Sequence, residues 1–226
     1  MALQTKSMVK TMLMGLAAAG AVAAVAIAAG PKEGKYAQME TKEVAKVGEK
    51  APDFTLTDTD GNTYTLHEVL EMDGVNAVVL EWFNPRCPFV VKQYDANTTM
   101  ADTYGAFKDK GVKWMAINSG APGKQGAGLE LNSEIKADWN IAYPILIDES
   151  GDVGRMYGAK TTPHMYVING DGVLAYAGAI DDNPSPRQAG EVNYVRAALT
   201  SILAGETVEI SETRPYGCSV KYGSKN

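Results

Sequence analysis

The sequence predicts an α/β domain in which a mixed sheet is flanked by helices, with an N-terminal hairpin and a C-terminal tail. Three apolar runs too short for helices, at residues 77–80, 114–118 and 143–148, alternate with segments of helical composition. This strand–helix–strand order favours parallel pairing. Residues 169–172 read Asn-Gly-Asp-Gly between two further apolar runs, which is typical of an antiparallel hairpin.

The predicted elements begin near residue 51. Residues 54–56 and 64–66 alternate apolar and polar side chains around Asp60-Gly61-Asn62, which predicts a hairpin. The buried strand at 77–80 ends at a break over residues 84–88, and a helix follows over 89–110 with Pro88 in its first turn. The remaining predictions are helices at 129–139, 153–157 and 193–203, strands at 165–168 and 173–177, and a tail strand at 207–210.

The first 30 residues have the composition of an export segment. Lys6 and Lys10 precede an uncharged run over residues 11–30, and Ala26-Ile27-Ala28 offers a small-x-small cleavage site. The segment is either a cleaved signal peptide or an uncleaved anchor, so we expect a periplasmic or secreted protein. Residues 31–46 are predicted as a linker and residues 47–222 as the single domain.

Composition excludes some classes of function. The net charge of −6, with no cluster of basic residues, argues against a nucleic-acid partner. We see no close metal-ligand spacing, and we predict neither a metal site nor a cofactor. The chain has two cysteines, and in an exported protein an even count favours a disulfide.

Cys87 is the main candidate for chemistry because it lies where a strand meets a helix. The N–H groups and dipole at a helix start favour a thiolate, and Arg86 adds positive charge. A thiolate is the nucleophile of disulfide exchange and of peroxide reduction. A cysteine directly before Pro88 is also expected to be exposed, although an inert buried thiol is the alternative.

Several other residues near the predicted strand ends have both a functional and an ordinary structural interpretation. A cis bond before Pro163 would present a backbone edge to a substrate, whereas a trans proline would simply end a loop. His164 could act as an acid, base or ligand, but is more often an ordinary polar residue. Glu81 is interpreted as a strand-end charge, and residues 181–184 as a turn.

Three segments resemble the thioredoxin-like superfamily in its peroxiredoxin-like or redoxin branch, that of alkyl hydroperoxide reductase and thiol-specific antioxidant. They are Gly-Glu-Lys-Ala-Pro-Asp-Phe at 48–54, Glu-Trp-Phe-Asn-Pro-Arg-Cys-Pro-Phe-Val at 81–90, and Thr162-Pro163. The resemblance implies a thioredoxin-like fold with Cys87 as the catalytic residue. It also implies that Thr162, Pro163 and Pro88 contact the substrate.

The departures from these families are as informative as the matches. Thioredoxins carry a second cysteine three residues after the first, where this chain has Val90. Peroxiredoxins carry Thr or Ser three residues before the cysteine and Pro seven before it, where this chain has Asn84 and Leu80. The resemblance therefore suggests Cys218 as a distal resolving cysteine, with a permanent Cys87–Cys218 disulfide as the alternative.

Three functions follow from this sequence. The first is an exported thiol oxidoreductase that acts on protein thiols and disulfides or on hydroperoxides, with a reductant that the sequence does not identify. The second is a non-catalytic binding module in which the disulfide is structural. The third is metal delivery by Cys87, Cys218 and His164.

Overall fold

The computed structural model describes residues 44–224, so the predicted export segment and most of the predicted linker lie outside the described residues. The strands are β1 Thr55–Asp58, β2 Thr63–Thr65, β3 Ala77–Trp82, β4 Val112–Asn118, β5 Ile145–Ile147, β6 Thr161–Thr162, β7 His164–Asn169, β8 Leu174–Gly178 and β9 Cys218–Ser219. The α-helices are α1 Leu66–Leu70, α2 Pro88–Val91, α3 Thr99–Phe107, α4 Leu129–Asp138, α5 Asp152–Met156 and α6 Tyr194–Ala204.

Seven strands form a mixed sheet in the order β2-β1-β5-β4-β3-β7-β8. Strands β3, β4 and β5 run parallel, whereas β1 and β2 at one edge and β7 and β8 at the other pair antiparallel. Strands β6 and β9 form a separate two-stranded ribbon. The predicted mixed sheet and its two hairpins are confirmed.

Both faces of the sheet are covered, which explains the continuous apolar run in β3. Every residue of β3 is buried. Val79 packs into one core with residues of α3 and α6, and Leu80 packs into a second core with residues of α1 and α5. Because neighbouring side chains on a strand point to opposite faces, a strand covered on both sides needs apolar residues at nearly every position.

The single helix predicted over residues 89–110 is wrong as a continuous element. Helix α2 passes into a π-helical turn over Lys92–Ala96, Asn97 has extended backbone angles, and α3 begins two residues later. The Asn97 side-chain amide donates to the Lys92 carbonyl at 2.9 Å, a local contact that competes with regular helix bonding. The composition favours a helix throughout, but side-chain contacts divide it.

The tail also differs from the prediction, because residues 207–210 form no strand. The tail instead follows the edge of β8, where the Ala177 amide donates to the Ser211 carbonyl and the Thr213 amide to the Ala177 carbonyl. It then reaches β6, where β9 pairs antiparallel. Within residues 44–224, no helix is long and apolar enough to cross a bilayer.

Candidate functional site

The turn that carries Cys87 is built by Asn84. The Asn84 carboxamide oxygen accepts from the Arg86 amide at 2.9 Å, and its nitrogen donates to the Gln125 carbonyl at 3.1 Å. The Cys87 amide in turn donates to the Asn84 carbonyl. A side-chain acceptor two residues upstream is a common means of closing a turn. The Asn84 side chain therefore fixes the path from β3 to the cysteine.

Cys87 occupies the N-cap position of α2, in agreement with the prediction that it lies at a helix start. Its side chain makes no capping hydrogen bond, however, and α2 contains four residues only. The Cys87 Sγ–H instead donates to the Thr162 carbonyl oxygen at 2.9 Å. This contact holds the Cys87 side chain against β6.

The expectation that Cys87 is exposed is wrong for this conformation. Cys87 is 0% exposed and belongs to the core that includes α3 and α6, whereas Arg86 and Pro88 on either side are exposed. Cys218 packs against that core and is itself half-buried. The Cys87 side chain is therefore buried in packing that includes residues far away in the chain, which the local sequence around Cys87 does not reveal.

The structure brings Cys218 directly to Cys87. In the β6–β9 ribbon, Cys218 is the register partner of Thr162. Both thiols are free, and they contact each other through their side chains. Burial raises the pKa of the Cys218 thiol to about 11, and a hydrogen bond and charge interaction with Cys87 add to that rise. Two cysteines 131 residues apart in the chain therefore lie at one site.

The predicted substrate-binding residues lie around this pair. The Thr162-Pro163 peptide bond is cis, and both residues are buried. The Thr162 carbonyl accepts from Cys87, while its hydroxyl oxygen has no hydrogen-bond partner among the described residues. Pro88 lies on the exposed side of Cys87 as the first residue of α2. The fold thus places Thr162, Pro163 and Pro88 next to the thiols.

Glu81 is not the strand-end surface charge that the sequence suggested. Its carboxyl group is fully buried, and burial raises its pKa to about 8, although the hydrogen bond from Tyr94 opposes the shift. The Tyr94 hydroxyl donates to Glu81 and also bonds the Tyr143 hydroxyl at 2.9 Å. Glu81 is therefore a buried acid inside the same core as Cys87.

His164 lies directly after the cis proline but is enclosed by protein. Its Nδ1 atom bonds the Tyr166 hydroxyl at 3.1 Å, and burial lowers its pKa to about 3, with Lys160 contributing. A neutral, hydrogen-bonded ring agrees with the interpretation of His164 as an ordinary polar residue. In the described part of the chain, no three His, Cys, Asp or Glu side chains are grouped so as to hold a metal ion.

Sequence reasoning missed a polar group that we call the Lys92 cluster, in which Lys92, Gln93 and Asp181 are buried and Tyr216 is half-buried. Lys92 Nζ donates to the Tyr216 hydroxyl at 3.1 Å and lies 3.5 Å from Asp181 Oδ1. Gln93 Nε2 donates to Asp181 Oδ2 and to the Tyr216 hydroxyl. Residues 181–184 were predicted as a turn, yet Asp181 is buried. The sequence signal that could have indicated this cluster is the polar pair Lys92 and Gln93, which directly follows the apolar run of α2.

Comparison with known proteins agrees with this architecture. The AhpC/TSA family matches residues 47–177, which is more than half of the chain and ends before the tail. The thiol-disulfide oxidoreductase ResA of Halalkalibacterium halodurans is 30% identical over 134 residues, 59% of this chain and 68% of the relative.

Two solved structures resemble the whole domain. A hypothetical protein from Sinorhizobium meliloti aligns with a TM-score of 0.70 and 30% identity, covering 81% of this chain and 98% of that one. An uncharacterized conserved protein from Geobacillus kaustophilus aligns with a TM-score of 0.71 and 29% identity, covering 80% and 94%. The match over residues 47–177 and the thioredoxin-like fold lead to one conclusion: this chain belongs to the AhpC/TSA family.

Proposed function

We propose that this protein is a thiol-disulfide oxidoreductase whose redox pair is Cys87 and Cys218. The observation that carries the proposal is the contact between the two thiols beside the cis bond of Thr162-Pro163. Two thiols held in contact can form a disulfide within one chain and thereby pass two electrons to a substrate. The relatedness to ResA, named a thiol-disulfide oxidoreductase, supports this class of reaction.

The proposed reaction has two steps. The Cys87 thiolate attacks a protein disulfide, forming a mixed disulfide and releasing one substrate thiol. The Cys218 thiolate then attacks Cys87 Sγ, which releases the second substrate thiol and leaves the Cys87–Cys218 disulfide. The substrate gains two electrons and two protons from the dithiol. An external dithiol reductant restores the protein by the reverse exchange.

A structural Cys87–Cys218 disulfide is the second candidate, and the complete burial of Cys87 favours it. The two candidates share one geometry and differ in reduction potential. Catalytic pairs have potentials of roughly −120 to −270 mV, whereas structural disulfides lie below about −300 mV. Equilibration of the full protein in glutathione and dithiothreitol buffers, followed by thiol quantification, separates the two.

The activity test uses reduction of insulin disulfides by the reduced protein. We expect Cys87→Ser to lower turnover by about two orders of magnitude or more, to the level of the Cys87→Ser/Cys218→Ser double variant. Cys218→Ser is expected to accumulate a mixed disulfide between Cys87 and the substrate, visible by mass spectrometry. Turnover that survives in Cys87→Ser would remove this cysteine from the mechanism.

We also propose that residues 1–30 direct the chain out of the cytoplasm, as a cleaved signal or as an anchor. The charged start and the uncharged run over residues 11–30 support this. Fractionation of cells that express the full chain, and the same chain without residues 1–30, tests it. Equal cytoplasmic recovery of the two would contradict export.

A further inference from the structure

The Lys92 cluster joins three separate segments of the chain at one buried point. Lys92 and Gln93 follow Cys87 by five and six residues, and Tyr216 precedes Cys218 by two. Asp181 comes from the loop after β8. The Lys92 ammonium also donates to the Asn183 carbonyl at 2.7 Å and lies 4.8 Å from the centre of the Tyr216 ring. Both cysteine-bearing segments therefore contact the same cluster.

This cluster carries charge where water does not reach. The side chains of Lys92 and Asp181 are 0% and 1% exposed. Burial opposes ionisation of Asp181, but hydrogen bonds from Tyr216, Gly190 and Gln93 outweigh it, so the pKa of Asp181 is lowered. Buried ion pairs stabilise a fold little compared with apolar packing, and a known use of them is to specify one arrangement. The arrangement specified here includes the path of the tail.

The strand pairing that holds Cys218 is short, and the nearest contact on its far side is the Val220 amide, which donates to the Lys160 carbonyl. The β6–β9 ribbon contains two residue pairs only, Thr161 with Ser219 and Thr162 with Cys218. Such a short ladder supplies few hydrogen bonds. The Tyr216 hydroxyl, by contrast, contacts Lys92, Gln93 and Asp181. Its ring also lies 6.0 Å from that of Phe89, the second residue of α2.

We propose that the Lys92 cluster is a positioning device that seats the tail, holding Cys218 against Cys87 and closing Cys87 off from solvent. The proposal rests on the assignment of these cysteines as the redox pair. Lys92, Gln93 and Asp181 act through Tyr216 and touch neither sulfur in the contacts described above. Release of Tyr216 lets β9 leave β6 and uncovers the thiol.

The test compares Tyr216→Phe with Tyr157→Phe. Tyr157 is a matched control because its buried hydroxyl donates to the Pro52 carbonyl, outside the tail. Each fully reduced protein is treated with iodoacetamide, and labelling of Cys87 is followed by mass spectrometry. We expect Tyr216→Phe to raise the labelling rate by about two- to tenfold, the factor that corresponds to one net hydrogen bond. Tyr157→Phe should label at the wild-type rate.

A second readout is the equilibrium between the protein dithiol and oxidised glutathione. Tyr216→Phe lowers the effective concentration of Cys218 at Cys87. We therefore expect the equilibrium constant for disulfide formation to fall by a similar factor, about two- to tenfold. Lys92→Met should shift both readouts in the same direction, and Lys92→Arg should partly restore them. A structural role alone would not move this redox equilibrium.

The outcomes distinguish this inference from the proposed function. Wild-type labelling and wild-type redox equilibrium in both Tyr216→Phe and Lys92→Met would overturn the positioning role. A wild-type disulfide that resists strongly reducing buffers and an absence of insulin reduction would overturn the proposed function. Labelling of the chemically reduced protein remains informative in that second case, because it requires no turnover.

Discussion

The two cysteines are held by very different parts of the molecule. Cys87 follows β3, which pairs along six residues with β4 on one side and with β7 on the other. Cys218 lies in β9, which has two residues and, among the described strands, pairs with β6 alone. One thiol is attached to the centre of the sheet, and the other is supplied by a short ribbon at its margin.

This difference indicates which side of the site opens. Regions with few buried contacts open locally at lower free energy than core strands do. The wide burial of β3 leaves the Cys87 segment little freedom, whereas most of the tail between residues 211 and 219 is half-buried or exposed. We therefore expect substrate to reach Cys87 through displacement of the tail, with the turn at Asn84 unchanged.

Among the variants that test this difference between the two cysteine segments, Gly217→Ala is expected to change the labelling of Cys87 most. Gly217 has φ +132°, and a Cβ atom there would lie 2.1 Å from the Thr162 carbonyl oxygen. The clash prevents β9 from pairing with β6, so Cys87 in the reduced protein should react with iodoacetamide about tenfold to 100-fold faster. Gly205→Ala is the control, since Gly205 also has positive φ but has no atom within 4 Å of the added Cβ. Equal labelling of both variants would show that the tail is not the cover.

A second prediction concerns Glu81, which lies in β3, the strand that leads to Cys87. Its folded-state pKa of about 8 exceeds the ordinary value of 4.5, so the folded state binds a proton that the unfolded state has lost. Its contribution to stability is complete below pH 4.5 and falls as pH rises towards 8, by up to about 1.4 kcal/mol per pH unit. Glu81→Gln should remove this slope.

Denaturant unfolding of wild type and Glu81→Gln at several pH values between 5 and 8 measures the difference. Glu130→Gln serves as the control, because Glu130 is an exposed residue in the first turn of α4. Labelling of Cys87 should be unchanged in Glu81→Gln, since the tail does not contact Glu81 through any hydrogen bond described above. If the free energy of unfolding changed with pH in the same way for wild type and Glu81→Gln, the raised pKa of Glu81 would be contradicted.

The smallest effect is expected from Arg155→Met, which loosens the tail beyond Cys218. Arg155 donates to the Gly223 carbonyl at 2.9 Å and lies over the Tyr222 ring at 4.7 Å. These contacts are partly exposed and far along the tail, so we expect an increase in Cys87 labelling of about twofold or less. Arg196→Met is a close match, with one backbone carbonyl and one aromatic contact off the tail. An effect as large as that of Gly217→Ala would mean that both ends of the tail hold it equally.

Much of the fold could be predicted from local pattern. The run at 77–80 became β3, and Asn-Gly-Asp-Gly at 169–172 became the β7–β8 turn, because strand burial and turn chemistry are encoded by neighbouring residues. The peptide bond before Pro163 is cis, which is one of the two alternatives that the sequence leaves open. The tail strand was misplaced because β9 exists only through its pairing with β6, more than 50 residues away.

The candidate site was predictable in part. Cys87 at a strand–helix junction and Cys218 as its distant partner could be suggested from residue types and from the missing second cysteine of the C-x-x-C pattern. The burial of Cys87 and the Lys92 cluster could not be predicted. Lys92 reads as an ordinary helix-surface lysine until Asp181 and Tyr216 arrive from distant segments.

By itself the sequence determined the alternation of strands and helices, the junction that carries Cys87 and the presence of one other thiol. The first two depend on hydrophobic periodicity and turn residues, which act over a few neighbouring residues, and the third is read from the residue types. Only the tertiary structure decided that the two thiols meet, that β9 pairs with β6 and that Cys87, Glu81, His164 and Lys92 are buried. Burial and charge pairing depend on residues far apart in the chain, and the energy of each group depends on what surrounds it after folding.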